Sequence, residues 1–99
     1  MRMKNKWPTE VPVLTSRDMC KGQLHRGERS CLIGHVFKTF GESKGIILGK
    51  VRRALGKRCL QHDADPQYST ASFFNDDHTL TENAKVWNET MADLGYTED

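Results

Sequence analysis

Apolar residues recur at helical spacing in three parts of this chain. The first part predicts a helix of about three turns, which Ser30 can cap and Gly41 can end. Its apolar face comprises Leu32, Ile33, Val36, Phe37 and Phe40. The other face holds Cys31, His35 and Lys38, so that Cys31 and His35 lie one turn apart.

The second part predicts a basic amphipathic helix that opens near Ser43. Its apolar stripe comprises Ile47, Leu48, Val51, Ala54, Leu55 and Cys59. Lys50, Arg53 and Lys57 line the opposite side, and Arg52 stands beside them. A third sector carries Gly45, Gly49 and Gly56. Each glycine costs about 1 kcal/mol in a helix, so either another backbone approaches this sector or the outer two glycines belong to the helix ends.

The third part predicts the C-terminal helix. Its core stripe, spaced by four, three, four and three residues, comprises Leu80, Ala84, Trp87, Met91 and Leu94. Thr79 or Thr81 can cap it, and Gly95 can end it. Glu82, at capping-box distance from Thr79, begins an acidic outer stripe that continues with Glu89 and Asp93.

The remaining segments predict an arm, short turns and loops. Prolines 8 and 12 disfavour helix before them, so residues 1–14 are expected to form an extended arm that Val11, Val13 and Leu14 pin to the core. Thr15 and Ser16 can cap a short helical turn over residues 17–20. Residues 27–29 predict a loop, residues 62–66 start an acidic loop, and residues 75–78 predict a tight turn.

These patterns together predict a mainly α fold. We expect a compact single-domain bundle of three to four helices over residues 15–99, with the extended N-terminal arm at residues 1–14. The chain has 99 residues, 36% hydrophobic and 28% charged, which suits one modest core. No apolar run approaches the ~20 residues that span a bilayer, and no signal peptide is evident. A cytoplasmic location is therefore expected.

Charge divides the chain into two unlike parts. Residues 1–58 hold 14 of the 15 Lys and Arg and four acids, for a formal charge of +10, whereas residues 59–99 hold one lysine and nine acids, for −8. Such a division affects steering and association more than fold. It predicts one surface for an acidic partner and another for a basic partner.

Cysteines and histidines raise two further hypotheses. Cys20, His25, Cys31 and His35 have spacings that match structural zinc sites poorly, and three cysteines cannot all pair within one chain. Cys31 and His35 could form a thiolate–imidazole pair, but the sequence offers no orienting group and no oxyanion site. We therefore expect no metal, no cofactor and no catalytic residue, while a small Cys/His enzyme or metal-binding domain stays an alternative.

Several short motifs resemble an uncharacterised family of small helical bacterial and phage proteins. These are Lys21-Gly22, the helix opening Cys31-Leu32-Ile33-Gly34, and Phe74-Asn75-Asp76 before a Thr-capped final helix. That family is marked by a C-x-x-G helix and a W-N-D turn, and here Phe74 stands in place of the Trp. The resemblance spans roughly residues 19–94. It implies a compact helical fold and supplies no catalytic residue, because no activity is assigned to the family.

The sequence favours an interaction or regulatory protein over an enzyme. The predicted partner is a protein or nucleoprotein, bound through the basic helix face of Lys50, Arg53, Lys57 and Arg52. A phage-type inhibitor of a host protein or nucleoprotein machine fits this description. Direct nucleic-acid binding and weak self-association stay open, with Glu82, Glu89 and Asp93 as the surface for a basic partner.

Overall fold

Four α-helices and two small pairs of strands form the part of the chain that the computed structural model describes, residues 10–41 and 46–98. The helices are α1 (Leu32–Phe40), α2 (Ile46–His62), α3 (Ala71–Asp77) and α4 (Leu80–Asp93). The strands are β1 (Glu10–Val11), β2 (His25–Arg26), β3 (Arg29–Ser30) and β4 (Thr97–Glu98), and short 3-10 helices cover Ser16–Asp18 and Pro66–Ser69. The predicted mainly α, compact fold is confirmed. No helix within these ranges is long and apolar enough to cross a membrane.

Helix α1 begins one residue later than the sequence predicts. Its N-cap is Cys31 rather than Ser30, and the Cys31 Sγ accepts a hydrogen bond from the Gly34 N–H at 3.4 Å. Gly41 ends the helix as expected, with a φ of +67° that glycine adopts without strain. Four of the five predicted apolar residues are buried, whereas Phe37 is exposed.

Helix α2 packs its predicted apolar stripe into the core. Val51, Leu55 and Cys59 are fully buried, and Leu48 packs beside them. The predicted start at Ser43, together with Gly45, lies outside the described residues. Gly56 does not belong to a helix end: a Cβ at this position would overlap the carbonyl oxygen of Ser69. The backbone that approaches α2 closely at Gly56 is therefore that of the second 3-10 helix.

The segment after α2 is more regular than predicted. Asp65 caps the second 3-10 helix by accepting a hydrogen bond from the Gln67 N–H at 3.2 Å. Helix α3 follows, so the prediction of a tight turn at residues 75–78 is wrong. The physical reason is the inward face of α3, where Ala71, Phe74 and Asn75 are buried at helical spacing. Because Asn75 on that face is polar, the apolar periodicity of α3 is interrupted and does not indicate a helix.

Helix α4 and the N-terminal arm are joined by partly buried hydrogen bonds. The predicted capping box is present, with Thr79 and Glu82 each bonded to the other's backbone N–H. The Trp87 indole donates to the Pro12 carbonyl at 3.2 Å, and the Asn88 amide makes two hydrogen bonds, each of 2.9 Å, to the backbone of Leu14. Val11 and Leu14 are buried as predicted, but Val13 is exposed. Strand β1 then pairs in parallel with β4.

A β-hairpin occupies the segment that was predicted to be a loop. Strands β2 and β3 pair antiparallel, with Arg26 opposite Arg29, across a two-residue turn of Gly27 and Glu28. Gly27 has a φ of +63°, which two-residue hairpin turns require and which favours glycine. The hairpin is attached to the preceding segment by a bridge between Met19 and Ser30. This arrangement places four cations close together, as described below.

Candidate anion-binding surface

The cations predicted on α2 lie on its exposed side. We call Lys50, Arg53 and Lys57 the α2 stripe; all three are exposed, and so is the neighbouring Arg52. Their direction is fixed by the opposite side of the helix, because Val51, Leu55 and Cys59 are anchored in the core. Arg52 borders two adjoining depressions that both include Ile33, and Arg53 borders one of them.

The acids of the outer stripe of α4 mostly contact other residues of the same chain. Arg58 donates from Nε to the Asp93 carboxylate at 3.1 Å and also from Nη2, and a second carboxylate, Glu89, lies 3.7 Å from Nη1. The hydrogen bond to Asp93 raises the pKa of Arg58. His62 Nε2 lies 2.8 Å from the same Glu89 oxygen, Oε1, that Arg58 approaches. These contacts tie α2 to α4, and they explain an anion in the last turn of α4 that the helix dipole disfavours.

Nearly all described acids have a partner within the chain. Glu10 and Glu28 are the two exceptions among the acids whose side chains the structure describes. The others cap helix starts, pair with basic side chains, or accept hydrogen bonds from Tyr68 and from the Gly22 N–H. They are Asp18, Asp63, Asp65, Asp76, Asp77, Glu82, Glu89 and Asp93. Most of the described acidic side chains therefore make contacts that support the fold.

The cations behave differently. Within residues 10–41 and 46–98, Arg58 is the arginine that pairs with a carboxylate, and the other five form no ion pair there: Arg17, Arg26, Arg29, Arg52 and Arg53. Lys57 likewise has no carboxylate partner among the described residues. Positive side chains without an ion pair among the described residues are therefore concentrated on α2, the first 3-10 helix and the hairpin.

A second group of cations, which the sequence did not predict as a site, surrounds a concavity beside the hairpin. Its volume is about 780 Å³. Its lining comprises Arg17, Met19, Cys20, Lys21, Arg26, Glu28, Arg29 and Leu80. Arg26 and Arg29 are directly opposed on the hairpin, an arrangement of like charges that costs roughly 0.2–1 kcal/mol relative to a neutral pair. The sequence signal that was missed is Arg26-Gly27-Glu28-Arg29. Glycine in the first of the two central positions of a turn is typical of a β-hairpin.

Buried polar side chains hold the backbone beneath this concavity. Asn75, fully buried, donates from Nδ2 to the Cys20 carbonyl at 2.9 Å and accepts from the Leu32 N–H at 3.0 Å. His35 Nε2 lies 2.7 Å from the Asp18 carbonyl, and burial lowers the pKa of His35. The Cys20 N–H donates to the Ser30 carbonyl at 3.1 Å. Residues 18–30 therefore have a defined backbone although they contain little regular structure.

The Cys and His candidates make local structural contacts. Cys20 and Cys31 are buried, and each thiol makes a local hydrogen bond: Cys20 donates to the Gln23 carbonyl, and Cys31 caps α1. Burial raises the pKa of Cys20. His25 Nδ1 instead lies 2.7 Å from the Ser30 hydroxyl. The described residues contain no group of three or more Cys, His, Asp or Glu side chains arranged to hold a metal ion.

Cys59 and His78 also have structural roles. Cys59 is fully buried, and burial raises its pKa to about 12, so its thiolate is not available at neutral pH. His78 stacks on Phe74 at 3.7 Å between ring centroids, and its Nε2 lies 3.1 Å from Asp63.

Comparisons of the chain with known protein families, with curated proteins and with solved structures found no match.

Proposed function

We propose that this chain is a small interaction or regulatory protein that docks the α2 stripe on an anionic macromolecular partner, a protein or a nucleoprotein. One observation carries the proposal: Arg53 and Lys57 are exposed and have no ion pair among the described residues, whereas Glu89 and Asp93 of the acidic stripe pair with Arg58 and His62. An exposed charge on a rigid helix costs little to present and steers an oppositely charged partner. The α2 stripe and Arg52 are the partner-binding residues.

The structural contacts disfavour the opposite assignment. If the acidic stripe of α4 were the main contact surface, its carboxylates would need to be available to a basic partner. Glu89 and Asp93 instead contact Arg58 and His62, and Glu82 completes the capping box. Of the two surfaces that the charge division predicts, the basic one is therefore the better candidate.

Direct nucleic-acid binding is a second candidate that one observation favours. The cations beside the hairpin add Arg17, Lys21, Arg26 and Arg29 to the positive surface of α2, and nucleic-acid binding draws most of its affinity from such charges. A single capture experiment separates the two candidates, because nuclease treatment removes partners held through nucleic acid and leaves partners held through protein.

The experiment is affinity capture from a lysate of the source cells, with and without nuclease, by the wild-type chain and by charge-reversed variants. Lys57→Glu and Arg53→Glu should each lose the partner, whereas Lys85→Glu, which reverses an exposed lysine on α4, should retain it. Surface substitutions of this kind typically change stability by less than about 0.5 kcal/mol. Equal capture by all variants would show that the α2 stripe is only a solvated helix face.

A further inference from the structure

The concavity beside the hairpin has the composition of a site for a small, strongly anionic group. Its lining residues include three arginines and one lysine, Arg17, Arg26, Arg29 and Lys21, against one acid, Glu28. No ion pair within the described residues neutralises these four cations. Part of the lining is apolar, from the buried Met19 and the partly buried Leu80.

The hairpin directs two of the arginines to the same place. Arg26 and Arg29 are register partners across the two-residue turn, and directly opposite residues of an antiparallel pair project from the same face. Two like charges so placed repel each other unless an anion lies between or above them. A shared anionic ligand would convert this repulsion into two attractive contacts.

The backbone that carries these cations is fixed before any ligand arrives. The Met19–Ser30 bridge and the hydrogen bond from Cys20 to Ser30 join the first wall of the concavity to the hairpin. Asn75 holds the Cys20 carbonyl, and His35 contacts the Asp18 carbonyl. Binding therefore needs to order only the long side chains, which reduces the entropic cost of association.

We propose that this concavity is a phosphate-binding site, separate from the α2 stripe. Planar guanidinium groups match phosphate oxygens in pairs, and lysine adds a point charge, so this residue set suits phosphate better than a single carboxylate. A volume of about 780 Å³ accommodates the phosphate together with an organic group, which the partly buried Leu80 can contact. The phosphate belongs either to a small phosphorylated compound or to a nucleic-acid backbone.

The test is a titration of the ¹⁵N-labelled chain followed by amide chemical shifts, with inorganic pyrophosphate in one arm and a short single-stranded oligonucleotide in the other. We expect saturable shifts of the amides of residues 17–30. Arg26→Gln with Arg29→Gln should weaken binding about tenfold or more, because it removes two charge-assisted contacts. Arg53→Gln with Lys57→Gln removes the same charge outside the concavity and should change the affinity for pyrophosphate by no more than about twofold.

Each outcome decides the proposal. Saturation by pyrophosphate that depends on Arg26 and Arg29 supports a site for a small phosphorylated compound. Binding of the oligonucleotide alone, with the same dependence, supports a backbone phosphate. Absence of saturation in both arms, or equal weakening by the two double variants, overturns the proposal. Should the hairpin variant lose its native spectrum, Arg17→Gln, which lies on the first 3-10 helix outside the hairpin, provides the same comparison.

This result is independent of the capture experiment. A loss of phosphate binding in the Arg26 and Arg29 variant, with capture of the partner unchanged, would separate the two sites. Conversely, phosphate binding that survives in the Arg53 and Lys57 variant, with capture abolished, would confirm the α2 stripe as a distinct surface. Failure of the phosphate site alone therefore leaves the proposed function intact.

Discussion

Asn75 is the residue on which the polar part of the core depends. Its side chain satisfies the Leu32 N–H at the start of α1 and the Cys20 carbonyl of the segment beneath the hairpin. Asn75→Ala would leave both groups buried without partners, at a cost of about 1–3 kcal/mol each. We expect the free energy of unfolding in urea to fall by about 2–5 kcal/mol.

Asn88 provides the matched control for Asn75. It also makes two hydrogen bonds to backbone, at Leu14, but it is only partly buried. Water can replace its amide, so Asn88→Ala should cost about 1 kcal/mol. Similar losses for the two variants would show that burial does not determine the importance of these amides.

The buried imidazole of His35 makes stability depend on pH. Burial is the main cause of its lowered pKa; Lys38 and His25 act in the same direction, and contacts with Asp18 oppose it. The unfolded chain, in which the pKa is near 6.5, therefore takes up this proton more readily than the folded protein does. Stability is complete above that value and declines as the pH falls below it.

Urea unfolding at a series of pH values checks this expectation. The wild-type chain should lose stability as the pH is lowered from about 7.5 to about 5. His35→Gln keeps an N–H donor for the Asp18 carbonyl but cannot titrate, so its stability should vary less over this range. His25→Gln removes only the weakest of the causes that lower the pKa of His35, so it should reduce the slope much less than His35→Gln does. An unchanged slope in His35→Gln would assign the effect to other groups.

Two glycines of α2 differ in their surroundings and should differ in their response to alanine. At Gly49, a Cβ would meet only the flexible Arg53 guanidinium, at 3.3 Å, so Gly49→Ala should stabilise the protein by up to about 1 kcal/mol through helix propensity. At Gly56, a Cβ would overlap the Ser69 carbonyl, so Gly56→Ala should destabilise it by about 1–3 kcal/mol.

Thermal or urea unfolding of the two variants provides the measurement. The two glycines were predicted to share one sector of the helix, with an approaching backbone as one explanation. Opposite signs of the two effects would confirm that the approach occurs at Gly56 alone. A stabilised Gly56→Ala variant would mean that the second 3-10 helix moves away at little cost.

The helices that the sequence predicts well are those with a continuous apolar stripe. In α4 the stripe, the Thr79 capping box and the stop at Gly95 agree with one another, and the structure reproduces them. Within the predicted core stripe of α4, Ala84, Trp87 and Met91 are buried, whereas Leu80 and Leu94 at its ends are only partly buried. Helix α3 was missed because Asn75, a polar residue, occupies a core position through hydrogen bonds that no local pattern encodes.

The candidate sites also differ in how far local sequence periodicity predicts them. The α2 stripe was predictable, since its cations recur on one side of an amphipathic helix. The concavity was not predictable from periodicity, because its cations come from the first 3-10 helix, the following segment and the hairpin. Those pieces are brought together by long-range contacts of Asn75 and His35, which only the folded chain reveals.

The charge of the whole molecule bears on self-association. Opposite stripes on α2 and α4 could join copies head to tail, but Glu89 and Asp93 already pair with Arg58 and His62 of the same chain. Exposed ion pairs contribute only about 0–1 kcal/mol each. We therefore expect a monomer at physiological ionic strength, with at most weak association at low salt.

Light scattering across a range of salt concentrations tests this expectation. One stable oligomer, unchanged between low and high salt, would contradict it and would indicate an apolar interface. The exposed side chains of Leu24 and Phe73 would then be the first positions to replace with polar residues.

The pairing of β1 with β4 also has a consequence for the order of events in folding. It connects residue 10 to residue 97 and so closes nearly the whole described chain into one loop. Loop closure costs entropy that grows with loop length, so this contact forms cheaply only after the helices have brought the two segments together. We infer that it is the last contact to form and the first to open. Pro12 follows β1 directly and accepts the hydrogen bond of the Trp87 indole, so we expect hydrogen exchange of that indole N–H in the native protein to report on this opening.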